Sequence, residues 1–196
     1  MTALDPRLNA YRNDLADVRL RGRVSARRYA EGRPARVIAG RAAVRRAPDS
    51  GASLDTFYHY GEPILVFEEA GNRAWCQSQD DGYVGYVERQ QIELGAAAEP
   101  TDFVATMGTY LYEAPDLRTN ATDFLPRHSA VVIAETGILT RGTEYARLDT
   151  GGFAPRACFS ENVLRSGRSY SWHGRSLNIS RLKVSGPVPS PAPSGR

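Results

Sequence analysis

The feature that most constrains the fold is a block of short apolar runs, alternating with polar residues and closed by turns, that occurs twice in the same order. Residues 35–38 and 43–45 read as strands, the second running into the turn cluster Pro48-Asp49-Ser50-Gly51. The stretch DTFYHYGEPILVFEEAGNRAWCQSQDDGYVGYVERQQIEL follows. In it a strand over 56–60 leads to Gly61-Glu62, and Pro63 opens an apolar strand over 64–67. Ala70-Gly71-Asn72 then turns into a strand over 74–77, and Asp80-Asp81-Gly82 into one over 83–87. A period of two with turns this close predicts a small β-barrel.

The second copy is FVATMGTYLYEAPDLRTNATDFLPRHSAVVIAETGILTRGTEYARLDTGGFAPRACF. Strands are expected at 103–105, 110–112, 130–134 and 144–148, with a turn at Thr136-Gly137. Gly151-Gly152-Phe153-Ala154-Pro155 stands where the first copy has residues 82–86. A repeat of about 60 residues means two related barrels in tandem. The expected organisation is all-β: an N-terminal arm over 1–32, barrels over 33–94 and 102–159 joined by GAAAEPT, and a segment 160–196 ending in a disordered Pro/Ser-rich tail. In the arm, Asp5-Pro6 is expected to cap a short helix over 7–11, with Leu15, Val18 and Leu20 as apolar anchors and Gly22 interrupting the pattern.

Composition narrows the function classes. No run of about 18 apolar residues is present, so no membrane partner is expected. The opening MTALDPRLNAYRNDL has polar and acidic residues where a secretory signal needs an apolar core, which implies a cytoplasmic protein. Cys76 and Cys158 lie in apolar contexts, RAWCQS and PRACFS, and read as core thiols, Cys158 on the last strand of the second barrel. His59, His128 and His173 stand apart from one another and from any Cys or Asp cluster, so neither a metal nor a cofactor is implied. The net charge of +3 is concentrated in arginines between Arg7 and Arg46. That allows a phosphate-binding module, but the scarcity of lysine and the lack of aromatic-basic interleaving favour a solvated or internally paired face over nucleic acid.

LDPRLNAYRNDLADVRLRGRV, RPARV, the LDT…YGEP…VFEEA block, W-C-Q and DGYVGYV together resemble the N-terminal half of NlpC-type cysteine peptidases with bacterial SH3-like domains. These murein-peptide dipeptidyl-peptidases cut γ-D-glutamyl-diamino-acid bonds. The resemblance covers residues 4 to about 158 and implies that both barrels are SH3-like. YSWHGRS, at 170–176, resembles the family's Y-x-W-G-G-x-S entry to the catalytic domain, with His173 in place of one glycine. There the family has Asp-Cys-Ser-Gly opening a helix, whose N-terminus lowers the thiol pKa, and a histidine base further on. This chain has Lys183-Val184-Ser185-Gly186 followed by prolines, so no catalytic residue is expected in it.

A ligand groove in small barrels of this kind would be lined here by Asp55, Tyr58, Tyr60, Glu62, Trp75, Tyr83 and Tyr86. The resemblance implies that the first SH3-like domain walls off one end of the active-site cleft and reads the free amino terminus of a murein peptide. An ammonium group needs acceptors and a negative charge, which makes Asp55 and Tyr86 the leading ligand-binding residues, with Glu62 and Tyr83 behind them. The expected function is that of a catalytically incomplete relative of a cell-wall-peptide hydrolase that retains recognition, with affinity on the order of millimolar. The alternatives are a fragment of an active cysteine peptidase whose catalytic domain is lost by truncation or frameshift, and a general interaction or nucleic-acid-binding module using the Arg-rich arm.

Overall fold

The computed structural model describes residues 4–49 and 51–161. The expectations for the catalytic-domain entry, the Pro/Ser-rich tail and His173 lie outside these residues. In the arm, β1 (Leu15–Asp17) and β2 (Arg28–Ala30) pair in parallel. The first unit consists of β3 (Arg33–Val37), β4 (Arg41–Arg45), β5 (Leu54–His59), β6 (Pro63–Ala70), β7 (Arg73–Ser78), β8 (Val84–Glu88) and β9 (Ile92–Leu94). These form one sheet in the order β5-β4-β8-β7-β6-β3-β9. The second unit has β10 (Asp102–Val104), β11 (Gly108–Tyr112), β12 (Ala121–Pro126), β13 (Ala130–Val131), β14 (Ile133–Thr140), β15 (Thr143–Leu148), β16 (Phe153–Pro155) and β17 (Phe159–Glu161). They divide into the sheets β13-β10-β17 and β12-β11-β16-β15-β14. Over the described residues the chain is all-β, and among them the sheets end at β5 and β9, at β13 and β17, and at β12 and β14. No helix among the described residues is long and apolar enough to cross a membrane.

Period-two patterning places the core. In β4, Ala42 and Val44 point inward while Arg41 stays exposed. They join Tyr58, Ile64, Val66, Ala74, Cys76, Val87 and Ile92 in the first core. Cys76 is a core thiol, as its apolar context predicts, and burial pushes its pKa upward. The second core gathers Val104, Leu111, Leu125, Val131, Ala146, Leu148, Ala154 and Phe159. Each large aliphatic side chain so buried contributes about 1.5–3 kcal/mol relative to exposure.

The two units repeat the same pairing. Ala42 faces Tyr58 across β4 and β5, and Thr109 faces Leu125 across β11 and β12. Both ladders shift register one step further along, between Val44 and Arg45 and between Leu111 and Tyr112. Beyond the shift, Arg45 meets Tyr86 and Tyr112 meets Phe153.

Five local expectations are corrected. Thr136-Gly137 is no turn: it lies within β14, at a register shift against β15, and the hairpin turns instead at Arg141-Gly142. Both turn residues have positive φ, 50° and 80°, as a two-residue turn of type I′ demands. β12 emerges from ATDFLP, where the sequence reading assigned no strand. Cys158 ends a 3₁₀ turn, Arg156–Cys158, and is only half-buried, because the chain must bend there before β17. The arm starts with a turn rather than a helix: Asp5 Oδ1 accepts from Arg7 N at 2.9 Å, and Tyr11 N bonds to Asn9 O at 2.8 Å, not four residues back. Leu15 and Leu20 are buried as anchors, whereas Val18 is 40% exposed.

The units meet along one side of the first sheet. Tyr60, just after β5, is buried in the second core, and its hydroxyl hydrogen-bonds with Thr150 Oγ1. Gly40 N donates to Asp123 Oδ2 at 2.7 Å, and Arg36 bridges Glu93 and Asp149, at 2.6 and 2.7 Å.

Candidate functional site

β7 reads Ala-Trp-Cys without polar alternation because both its faces are covered. Ala74 and Cys76 enter the first core, while Trp75 packs with Ala10 and Leu15 of the arm, Phe67 and Val84. Trp75 faces Tyr86 directly across β7 and β8. Between this aromatic pair, the arm and the β4–β5 end lies a groove of about 600 Å³. Asp5, Arg7, Tyr11 and Arg12 line it from the arm, Arg46 and Asp55 from the β4–β5 end, and Trp75, Val84, Gly85 and Tyr86 from below.

The groove therefore brings together Asp55 and Tyr86, the two leading sequence candidates. Asp55 is the extra residue at the register shift between β4 and β5, and such a bulge re-aims a side chain out of the sheet's alternation. Its carboxylate is 9% exposed and accepts from Arg46 Nη2 at 2.9 Å and Nε at 3.3 Å, while the Arg46 side chain is 68% exposed. Tyr86 accepts a 2.5 Å hydrogen bond from Arg12 Nη1. Burial raises the phenol's pKa, and Arg12 opposes that shift.

Arg12 was not foreseen, and it is the most engaged residue of the site. Its guanidinium lies over the Trp75 ring, 4.3 Å from the centroid, and 5.7 Å from that of Tyr86. It also bonds Asp14 at 3.0 and 2.8 Å and Glu68 at 2.5 Å. Burial alone would lower its pKa, but the bonds to Asp14 and Glu68 prevail and raise it, so this cation is fixed. Asp14 is the one partner of Arg12 near it in the sequence; Glu68, Trp75 and Tyr86, which place it at the groove, are contributed by distant strands.

The remaining candidates lie elsewhere. Glu62 sits on the turn between β5 and β6, where its carboxylate accepts from His59 N at 2.9 Å and from Ser78 Oγ at 2.5 Å. Burial raises its pKa to about 7 against those two hydrogen bonds. Tyr83 packs on the first core and gives its carbonyl to the Tyr58 hydroxyl at 2.7 Å, and it is not among the residues lining the groove. Tyr58 and Tyr60 do not line a groove, because each is the large side chain that fills a core, at 1% and 3% exposure. A smaller depression of about 390 Å³ lies between the arm and β7, lined by polar groups including Asn9, Arg19, Arg23 and Gln77. Among the described residues no group of three or more His, Cys, Asp or Glu could hold a metal ion.

The second unit does not repeat this chemistry. By the shared pairing, Thr122, Arg147 and Phe153 occupy the places of Asp55, Trp75 and Tyr86. The carboxylate, the indole and the phenolic hydroxyl are all lost there.

Residues 44–92 match the family model of the bacterial dipeptidyl-peptidase SH3 domain. Among solved structures, the chain is similar to an NlpC/P60 family protein from Bacillus cereus, at 14% identity and a TM-score of 0.49, over 65% of this chain and 55% of that one. It is also similar to NlpC1 from Trichomonas vaginalis, at 9% identity and a TM-score of 0.30, over 67% and 46% of the two chains. NlpC2 from the same organism matches at 10% identity and a TM-score of 0.29, over 72% and 52%. The chain thus spans about half the length of these structures. No curated protein matches it. Arg46, Asp55, Trp75 and Tyr86 of the groove all lie within the stretch that matches the bacterial dipeptidyl-peptidase SH3 domain.

Proposed function

We propose that this chain is the recognition part of an NlpC-type cell-wall-peptide hydrolase, whose first SH3-like domain binds the free amino terminus of murein peptides in the cytoplasm. The observation that carries this reading is the meeting of Asp55 and Tyr86 in one groove on the dipeptidyl-peptidase-type domain. A shielded carboxylate beside a phenolic hydroxyl gives an ammonium group both a countercharge and an acceptor. Arg46 holds Asp55 through an ion pair whose arginine is 68% exposed and open to solvent screening, so an entering ammonium can share that carboxylate. Bond cleavage in this reading belongs to a catalytic domain, since burial raises the Cys76 pKa and leaves its thiol unsuited as a nucleophile. The alternative of a phosphate-binding face is weakened by pairing: Arg28, Arg33 and Arg36 are held by Glu68, Glu69, and Glu93 with Asp149.

Titrating the whole chain with L-Ala-γ-D-Glu-diamino-acid tripeptide and with its N-acetylated form, followed by amide NMR shifts, tests the reading. The free-amine peptide is expected to shift amides around Asp55, Gly85 and Tyr86 with millimolar affinity, and the acetylated form to bind at least about tenfold more weakly. Asp55→Asn should remove that preference. Equal binding of both peptides would sink the amine-recognition role.

A further inference from the structure

We infer that the depression of about 390 Å³ between the arm and β7 is a second binding site, which takes a small hydroxylated anion, a sugar phosphate or a sugar acid, with Arg23 as its charged contact. It shares no lining residue with the groove over Trp75 and Tyr86 and does not depend on peptide recognition there.

The charge of the depression comes from three side chains, Asp17, Arg19 and Arg23. The first two cancel. The buried Asp17 carboxylate caps the 3₁₀ turn Val18–Leu20, accepting from Arg19 N at 2.8 Å, and it also takes Arg19 Nε at 2.6 Å and Nη2 at 2.5 Å. Arg23 is left over. Its neighbours Arg19 and Arg28 are each held by a carboxylate, but the exposed Arg23 side chain makes no hydrogen bond, ion pair or ring contact among the described residues. Its backbone is nonetheless fixed, with Arg23 N donating to Leu20 O at 2.9 Å. The depression therefore carries one uncompensated positive charge on a tethered residue, with the five N–H donors of a guanidinium open to a ligand.

The rest of the wall selects the body of the ligand. Asn9 spends one amide hydrogen on Asp5 O, at 2.9 Å, and the Gln79 carboxamide bonds to nothing among the described residues. Gln77 is committed: its Nε2 donates to Leu8 O and Gly82 O, each at 3.0 Å, and so fastens the arm to β7. A carboxamide both donates and accepts, which matches hydroxyl groups that do the same. No aromatic ring lines the depression, so a nucleobase or other flat ligand finds no stacking surface, and the apolar floor is limited to Ala10, Leu20 and Leu65. The space is also larger than a bare oxyanion fills, which leaves room for a hydroxylated body. A guanidinium fork holds phosphate and carboxylate oxygens alike, so an anionic head of either kind fits Arg23.

Amide NMR titration of the whole chain with glucose 6-phosphate, glucuronate, glucose and inorganic phosphate tests the site. At least one of the two anionic sugars is expected to shift the amides of Asn9, Arg23 and 77–79 with a Kd on the order of millimolar, and the tighter of the two identifies the head group. Glucose and inorganic phosphate should each bind at least about tenfold more weakly than that sugar, because each lacks one set of contacts. Arg23→Gln, on an exposed side chain with no partner to lose, should weaken the anionic sugar about tenfold. Arg27→Gln removes an equal charge from the same loop outside the depression and should change affinity by less than about twofold. Glucose or inorganic phosphate binding as tightly as the anionic sugars, equal losses in the two variants, shifts confined to Gly85 and Tyr86 of the groove, or no binding by either anionic sugar would each overturn the site.

Discussion

The guanidinium of Arg12 lies 4.3 Å from the centre of the Trp75 ring, so an arm residue and a β7 residue together build the back wall of the groove. The arm is therefore part of the groove's wall rather than a linker beside it. Tyr86 completes the stack, held through its hydroxyl by the same arginine.

Removing that contact should loosen arm and groove together. Arg12→Ala deletes a cation–π contact, a hydrogen bond to Tyr86 and a half-buried pair with Glu68, and is expected to cost roughly 1–3 kcal/mol in urea denaturation. Arg12→Lys should recover little of it, since an ammonium cannot lie flat on the indole while reaching Asp14, Glu68 and Tyr86 at once. A lysine variant as stable as the parent would show that charge alone holds the arm.

Glu62 gives the fold a pH dependence of definite sign. Its carboxyl has an ordinary pKa of 4.5 and is raised to about 7 by burial on the turn beside Ser78, with Asp80 and Asp81 adding repulsion. Between those values the folded chain holds a proton that the unfolded chain has lost. The stabilisation is therefore complete below about 4.5 and lost as pH rises through about 7. Glu62→Gln keeps an acceptor for His59 N and should match the parent near pH 5 while exceeding it near pH 8, by on the order of 2 kcal/mol. Urea midpoints at the two pH values measure this, and a constant difference between the proteins would show that Glu62 titrates normally.

The strands of both units are legible in the sequence because alternation with one face buried leaves a period of two, and β4 shows it in five residues as Arg-Ala-Ala-Val-Arg. β12 is not, because ATDFLP buries only Leu125 fully and so carries one inward signal instead of two or three. Gly137 misleads for a related reason: a glycine with positive φ serves a bulge as readily as a turn. At the site, residue type was enough to single out Asp55 and Tyr86, which the fold brings to one groove. It failed where several tyrosines were chemically equivalent on paper. Tyr58 and Tyr86 differ only in which face of the sheet they leave by, and Tyr60 is claimed by the core of the other unit, a contact no local pattern records.

That contact between units can be broken at a single backbone position. Gly61 has φ +81°, and a Cβ placed on it would collide with the carbonyl oxygen of Ala130. Gly61→Ala must therefore bear both the strain of a left-handed conformation, about 1–2 kcal/mol, and the displacement of the second unit's backbone. Gly71→Ala is the matched control, because Gly71 also has positive φ, +59°, but its Cβ would meet open space. The expectation is a loss of about 1 kcal/mol at Gly71 and at least about 3 kcal/mol at Gly61, where the nearby Tyr60–Thr150 hydrogen bond and the Arg36–Asp149 pair are strained as well. Thermal unfolding of Gly61→Ala should also separate into two steps as the units lose their docking, while Gly71→Ala unfolds as the parent does. Equal losses for the two variants would mean that the units are not packed against each other at Ala130.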